Sequence, residues 1–231
     1  MKQIAERVIS FYKELKLEVK VPTGVQVLNP HNGGEATTEV FERFYRKYYN
    51  DTKPRKLVLG INPGRFGAGV TGIPFTDPKR LVDECGIPWN GPLLHEPSSV
   101  FVYDVIKACG GAEVFYSQVY ISSVCPLGLT RENEKGRQVN YNYYDSRKLT
   151  TALLPFLEWN IARQQEIASS YESCYCLGKG TNYKFLSSLN KKKGFFKEII
   201  PLDHPRYIVQ YKQTERNRYI DEYLRVLLSN K

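Results

Sequence analysis

The chain has 231 residues, 42% of them hydrophobic and 13% aromatic, which suits one large α/β domain and excludes a disordered or low-complexity chain. Its 33 lysines and arginines against 24 acidic residues leave a net charge of +9, which favours a polyanionic partner such as nucleic acid. The five cysteines, Cys85, Cys109, Cys125, Cys174 and Cys176, form no C-x-x-C pair, so a disulfide framework, a zinc site and an iron–sulfur cluster are all disfavoured.

Ile4, Val8, Ile9, Phe11, Tyr12 and Leu15 recur at helical spacing and predict an amphipathic helix over 3–16. That stretch lacks the apolar centre of a signal peptide, and no apolar run reaches the ~20 residues of a membrane span. A soluble intracellular protein is expected. Residues 17–35 are mixed, with short alternation in LEVKV and a turn-rich NPHNGG. A second helix is predicted over 36–50, with Val40, Phe41, Phe44, Tyr45 and Tyr48 on one stripe. KLVLGIN (56–62), short and bounded by turn residues, predicts a buried strand. Residues 63 to 97 read as a long irregular segment with one helical turn near 78–85, and loops of that length usually carry function. Ser98 or Ser99 is expected to cap a helix to 109, closed by Gly110-Gly111. VYISSV (119–124) predicts a second buried strand, 127–142 a polar loop, and 143–170 a long helix that Pro155 kinks or splits. SCYCLG (173–178) predicts a third strand, with Cys174 and Cys176 on one face as small buried residues. A helix over 182–190 ends in the solvated Lys191–Lys193, KEIIPLD (197–203) predicts a fourth strand, and a last helix runs from about 214 to 229.

Helices alternating with four buried strands predict a three-layer α/β/α fold around a four-stranded parallel sheet. Such sheets bind ligands beyond the carboxyl ends of their strands. There the chain places Asn62-Pro63-Gly64, Ser123, Gly178-Lys179-Gly180 and Asp203-His204-Pro205-Arg206. No carboxylate pair, Ser-His-Asp order or metal set is expected in that cleft. Asn and His suit a reaction that develops charge with little proton abstraction, and hydrolysis of a base–sugar bond fits. Its transition state is oxocarbenium-like at the sugar, a neutral His can donate to the departing base, and an Asn amide can hold the water. Taken alone, Asn62 also reads as a turn residue before proline and Phe75 as core, while Asp203 either orients His204 or ends its strand. His31 and His95 read as incidental.

Three segments carry a resemblance. GINPGRFGAGVTGIPF (60–75), SSVCPL (122–127) and HPR (204–206) are similar, in order and spacing, to motifs of the single-strand-selective monofunctional uracil-DNA glycosylases, within the wider uracil-DNA glycosylase superfamily. The likeness extends over about residues 36–229. It implies one glycosylase domain over 1–231, with 1–35 as a helical extension and 36–231 as the α/β core. It implies that Asn62 positions the water, that Phe75 stacks on a flipped base, and that His204 donates to the leaving base. Ile61 and Gly64 would line the base pocket by their backbone, and Ser123 would read the base edge. The segment after His204 would enter the duplex, with Arg206 and Tyr207 on the DNA. The partner implied is double- or single-stranded DNA with a damaged base, bound by a monomer that needs no metal and no cofactor. The location would be cytoplasmic, or nuclear in a eukaryote. No lysine nucleophile is evident, so no strand-cleaving lyase step is expected.

The chain departs from the family pattern at three points. Ser123 stands where the family has Asn, and a hydroxyl reads a base edge less selectively than an amide, so a looser pocket admitting xanthine as well as uracil is expected. Arg65 replaces a proline and puts a cation near the pocket mouth, for a phosphate; Lys179 is a further candidate DNA contact. HPR lacks the second proline of the family's wedge. Two rival readings remain. Gly67-Ala-Gly69-Val-Thr-Gly72 matches G-x-G-x-x-G and points to a flavodoxin-like nucleotide-binding enzyme, although Pro74 falls where a helix should open. A catalytically silent DNA-binding module is the other.

Overall fold

Short runs rich in apolar residues make the centre of the protein, and irregular chain carries many of the polar residues around it. The computed structural model describes residues 2–32 and 34–228. From the N-terminus, α1 (Ile4–Glu14) precedes a short strand β1 (Val25–Leu28) and α2 (Glu35–Tyr48). The first central strand, β2 (Lys56–Gly60), leads through α3 (Ala68–Thr71) and α4 (Pro78–Asp83) to α5 (Pro97–Ala108) and α6 (Ala112–Tyr116). Next come β3 (Val119–Ser123), β4 (Gly128–Glu132), β5 (Gln138–Asn140) and the long α7 (Arg147–Ala168). The chain closes with β6 (Ser173–Leu177), α8 (Thr181–Lys193), β7 (Glu198–Leu202), α9 (Pro205–Tyr211) and α10 (Arg216–Leu228). The expected end of the last helix, residue 229, lies outside the described residues.

The four predicted strands form one parallel sheet in the order β3-β2-β6-β7, flanked by helices in the expected α/β/α arrangement. All five residues of β3 are buried, as for a strand covered on both faces. Gly60 pairs with Ser123, so β2 and β3 end level. Cys174 and Cys176 are buried free thiols.

A second, antiparallel sheet, β1-β4-β5, corrects two expectations. The mixed segment 17–35 contains a strand, and the supposed polar loop 127–142 contains two. Val25 pairs with Arg131 and Thr130 with Asn140. Strands of three to five residues carry too little alternation to announce themselves, and for β1 and β4 a partner a hundred residues away decides them.

Three helix starts also differ. Pro97 takes the first turn of α5, where its missing N–H costs nothing. Ser98 and Ser99 therefore lie inside the helix rather than capping it, and the Ser99 hydroxyl donates to Asp77 at 2.6 Å. Helix α7 starts at 147 rather than 143, capped by Ser146, and runs on through Pro155. The preceding turn is held by Asn142 N–H donating to Asp145 at 2.7 Å. Helix α9, directly after His204, was not expected at all.

Helix α1 is more than an appendage. Its first N–H groups, at Ile4 and Ala5, donate to the carbonyls of Asp51 and Tyr49 at 2.8 and 2.9 Å. Ile4, Val8, Ile9, Phe11 and Tyr12 are buried in the same core as the sheet. Phe11 is 1% exposed, so Phe11→Ala should lower unfolding stability by about 3–5 kcal/mol in a denaturant titration. A loss below ~1 kcal/mol would instead mark α1 as a loosely attached segment.

Candidate active site

The level ends of β2 and β3 begin the site. Val124 and Cys125 N–H donate to the carbonyls of Gly60 and Ile61 at 2.9 and 3.0 Å, which carries the pairing past the strands and fixes Ile61 beside the pocket. Asn62 follows, and its amide is held at both ends. Its Nδ2 donates to the Tyr141 carbonyl and its Oδ1 accepts from the Tyr143 N–H, each at 3.2 Å. An amide has two donor hydrogens and two acceptor lone pairs. One of each remains for a ligand, in an orientation the backbone has already set.

Phe75 lies in a turn with Pro74 before it, closed by Thr76 N–H donating to the Ile73 carbonyl at 3.1 Å. Its φ is 54°, a left-handed conformation that costs a non-glycine residue about 1–3 kcal/mol. Thr71 Oγ1 holds the turn by donating to the Thr76 carbonyl at 2.6 Å, and Thr76 Oγ1 meets the Tyr103 hydroxyl at 3.0 Å. The ring is thereby laid on Gly60, where a Cβ would sit 3.2 Å from it. Its centroid is 5.9 Å from the His204 ring at an interplanar angle of 51°.

His204 ends the β7 connection and caps α9, its Nδ1 accepting from the Arg206 N–H at 3.1 Å. A neutral ring with Nδ1 as acceptor carries its proton on Nε2. Burial, with Arg206 adding to it, pushes the imidazole pKa down to about 4, so the ring is neutral at physiological pH.

Glu96 escaped the sequence reading, although a carboxylate just before a proline-initiated helix was the available signal. It lines the pocket together with Asn62, Gly64 and His204. Its carboxyl packs against the turn after Asn62. A Cβ on Gly64 would lie 2.7 Å from Oε1, and one on Gly67 would coincide with Oε2. Burial, then the nearby charge of Asp77, raises its pKa to about 7, with Arg206 acting the other way. Asp77 is itself buried and ties two helix starts together. It accepts from Arg80 N–H at 2.8 Å, Glu96 N–H at 2.7 Å and Ser99 Oγ at 2.6 Å.

The structure thus brings Ile61, Asn62, Gly64, Phe75, Ser123 and His204 around one inner pocket. It shares walls with a cavity of about 300 Å³ bounded by Ser98, Asn140, Asn142 and Arg206. Arg65, Phe66, His95 and Arg206 border a groove of about 430 Å³ outside it. The Arg65 guanidinium lies over the Phe66 ring at 4.1 Å. Tyr207 projects from α9 beside Tyr211, with ring centroids 5.6 Å apart and both side chains exposed.

Lys179 is placed elsewhere. Its ammonium pairs with Asp203 at 2.7 Å and Glu222 at 3.3 Å, and it lines none of these cavities. Asp203 is therefore engaged with Lys179 rather than orienting His204. Residues 178–180 line none of these cavities, whereas Glu96 and the 140–142 segment do. His31 is packed between the rings of Tyr12 and Phe41, 4.4 Å from each, and burial lowers its pKa to about 4. The G-x-G-x-x-G match does not form a phosphate cradle: the Glu96 carboxyl fills the space against Gly67, and a Cβ on Gly69 would lie 2.7 Å from the Gly64 carbonyl. Among the described residues, no group of three or more His, Cys, Asp or Glu side chains is placed to hold a metal, and no helix is long and apolar enough to cross a membrane.

A four-stranded parallel sheet whose ends present an amide, an aromatic ring and a neutral imidazole to one small pocket has the layout of a base-excising glycosylase. Comparison with known proteins agrees in family. A family model described as the uracil DNA glycosylase superfamily matches residues 46–228, and the chain belongs to that superfamily. The crystal structure of wild-type Pedobacter heparinus SMUG2 is 51% identical, with a TM-score of 0.95, covering 98% of this chain and 97% of that one. The single-strand selective monofunctional uracil DNA glycosylase of Mus musculus is 27% identical over 131 residues, covering 48% of this chain and 44% of the mouse protein. The protein of that name from Bos taurus is 27% identical over 116 residues, covering 42% of each chain. The matches thus span less than half the length of these mammalian relatives.

The state of His204 is open to measurement. By nitrogen-15 NMR its ring should remain neutral and protonated on Nε2 at pH 5.5, with a midpoint near the value of about 4 set by burial. A midpoint at the ordinary ~6.5 would show that the pocket does not desolvate it.

Proposed function

We propose that the protein is a monofunctional DNA glycosylase of base excision repair, which flips uracil out of DNA and hydrolyses its N-glycosidic bond, and which also accepts xanthine. The observation that carries this reading is the pairing of Asn62, its amide pre-oriented by Tyr141 and Tyr143, with a neutral His204 that presents Nε2–H to the same pocket. The superfamily membership and the names of the similar proteins support it.

Arg65, Arg206 and Tyr207 grip the phosphate backbone at the groove, an attraction that weakens as salt rises. Extrusion places the base against Phe75, where stacking is worth about 1–3 kcal/mol. Backbone groups of Ile61 and Gly64, with Ser123, meet its edge. As the C1′–N bond lengthens, positive charge grows on the sugar and negative charge on the base. Nε2–H of His204 donates to the base oxygen that gains charge, and the donor is already in place when the charge forms. Asn62 aims a water at C1′ with its remaining donor and acceptor. Among the described residues no lysine lines the inner pocket, so the reaction ends at an abasic site without a Schiff base. The protein acts as a single domain and as a monomer, in whichever compartment holds the DNA.

The test uses labelled oligonucleotides carrying uracil, xanthine or hypoxanthine, with alkali revealing abasic sites. The unmodified protein should excise uracil and xanthine. Asn62→Ala and His204→Ala should each lower the rate by at least ~100-fold, the scale of one lost transition-state donor. DNA binding with no excision of any base would instead establish the silent binding module. Base choice has its own test. Ser123→Asn should restore a pyrimidine-reading amide and reduce xanthine excision relative to uracil by about tenfold or more, the effect of one or two hydrogen bonds; an unchanged ratio would remove Ser123 from specificity.

A further inference from the structure

Asn62 can hold a water but cannot take its proton, because an amide does not ionise near neutrality. His204 is a donor whose acceptor nitrogen is already used by the Arg206 N–H. Asp77 is buried and committed to Arg80, Glu96 and Ser99. Among the described residues, Glu96 is the one carboxylate lining the inner pocket and the cavity beside it, and it shares both with Asn62. Its oxygens lie against Gly64 and Gly67, on the turn that leaves Asn62. A half-buried carboxyl held against two glycines, with its face to the pocket, is placed for chemistry rather than for packing.

We propose that Glu96 is the proton acceptor of this active site, its carboxylate taking a proton from the water that Asn62 holds. The step rests on the glycosylase reading. The C1′–N bond breaks and its electron pair leaves on the base. The water oxygen forms the new bond to C1′, and one water proton passes to Glu96. The base anion, held by Nε2–H of His204, is protonated by that carboxyl or by solvent as it departs. The negative charge of Glu96 also stabilises the positive charge that develops on the sugar.

Several groups face the carboxyl. Asp77 comes from the start of α4, Arg206 from α9, Arg65 from the turn after β2, and His95 from the residue before it; Ser98, Asn140 and His204 complete the surroundings without a charge at neutral pH. Burial and Asp77 together hold the free carboxyl at about 7, and bound phosphates move it further up. Excision should therefore rise with pH through 7 or somewhat above, while His204 stays neutral throughout.

The experiment measures single-turnover uracil excision from pH 5 to 9 for the unmodified protein and Glu96→Gln, with binding to an abasic-site duplex and thermal melting followed alongside. The expected result is a rising limb in the unmodified protein that is absent from Glu96→Gln. The variant should stay near the acid-side rate, about 100-fold or more below the unmodified protein at pH 8, the usual scale of general-base assistance, with DNA binding retained. Melting supplies a control with the sign fixed in advance. A carboxyl whose folded pKa is raised stabilises the fold at low pH and loses that contribution as pH climbs towards 7. The unmodified protein should thus lose stability relative to Glu96→Gln over that interval. Full activity of Glu96→Gln at pH 8 would overturn the proposal, as would a flat profile in an unmodified protein that excises uracil. Absence of excision by the unmodified protein at every pH would overturn the glycosylase reading, and this step with it.

Discussion

A buried carboxylate, Asp77, governs where the two least expected parts of the pocket sit. It accepts from the backbone of Arg80 at the start of α4 and from the backbone of Glu96 and the hydroxyl of Ser99 at the start of α5. Hydrogen bonds to an ionised group are worth about 1.5–3 kcal/mol each, and helix starts favour a negative charge. The long segment between β2 and α5 therefore has a fixed point despite its irregular course. Two residues before it, Phe75 is driven into a left-handed conformation and laid on Gly60. Nineteen residues after it, Glu96 is turned into the pocket. The strain at Phe75 persists because Thr71, Thr76 and Tyr103 over-determine the turn, leaving no relaxed alternative for the ring.

The Asn62 amide is controlled from the opposite side. Asn62 follows a strand of the parallel sheet, but the groups that hold it follow the small antiparallel one. Tyr141 comes directly after β5 and its N–H donates to the Leu129 carbonyl of β4 at 2.8 Å, while Asn140 Oδ1 accepts from the Arg65 N–H at 3.1 Å. The second sheet is thus the scaffold for the clamp on Asn62. That gives the N-terminal strand β1, which pairs with β4, an indirect connection to the chemistry.

This division explains which features were legible in the sequence. The four central strands could be read because each is a continuous apolar run buried by its neighbours, and Asn62, Ser123 and His204 could be read because polar residues at the ends of such runs meet in space. The resemblance in 60–75 added Phe75, which periodicity would have assigned to core. The antiparallel sheet was hidden because its strands are short and one of its two pairings is long-range. The pairing of Lys179 could not be read because its partners, Asp203 and Glu222, are distant in sequence. Glu96 was hidden for a related reason: a loop glutamate is ordinary until two glycines thirty residues earlier are found to leave room for its carboxyl.

Desolvation works in opposite directions on the two titratable groups of the pocket, pushing His204 down to about 4 and Glu96 up to about 7. Both shifts favour the uncharged form. The inner pocket thus approaches neutrality while the cations Arg65 and Arg206 stand outside it at the groove. On the glycosylase reading, the rim attracts a backbone phosphate while the near-neutral pocket receives an uncharged base, which favours a base presented on a polymer whose backbone can stay at the rim. On the same reading, the charge that develops during bond cleavage meets the fixed dipoles of His204 and Asn62, which act on the transition state more than on the bound substrate.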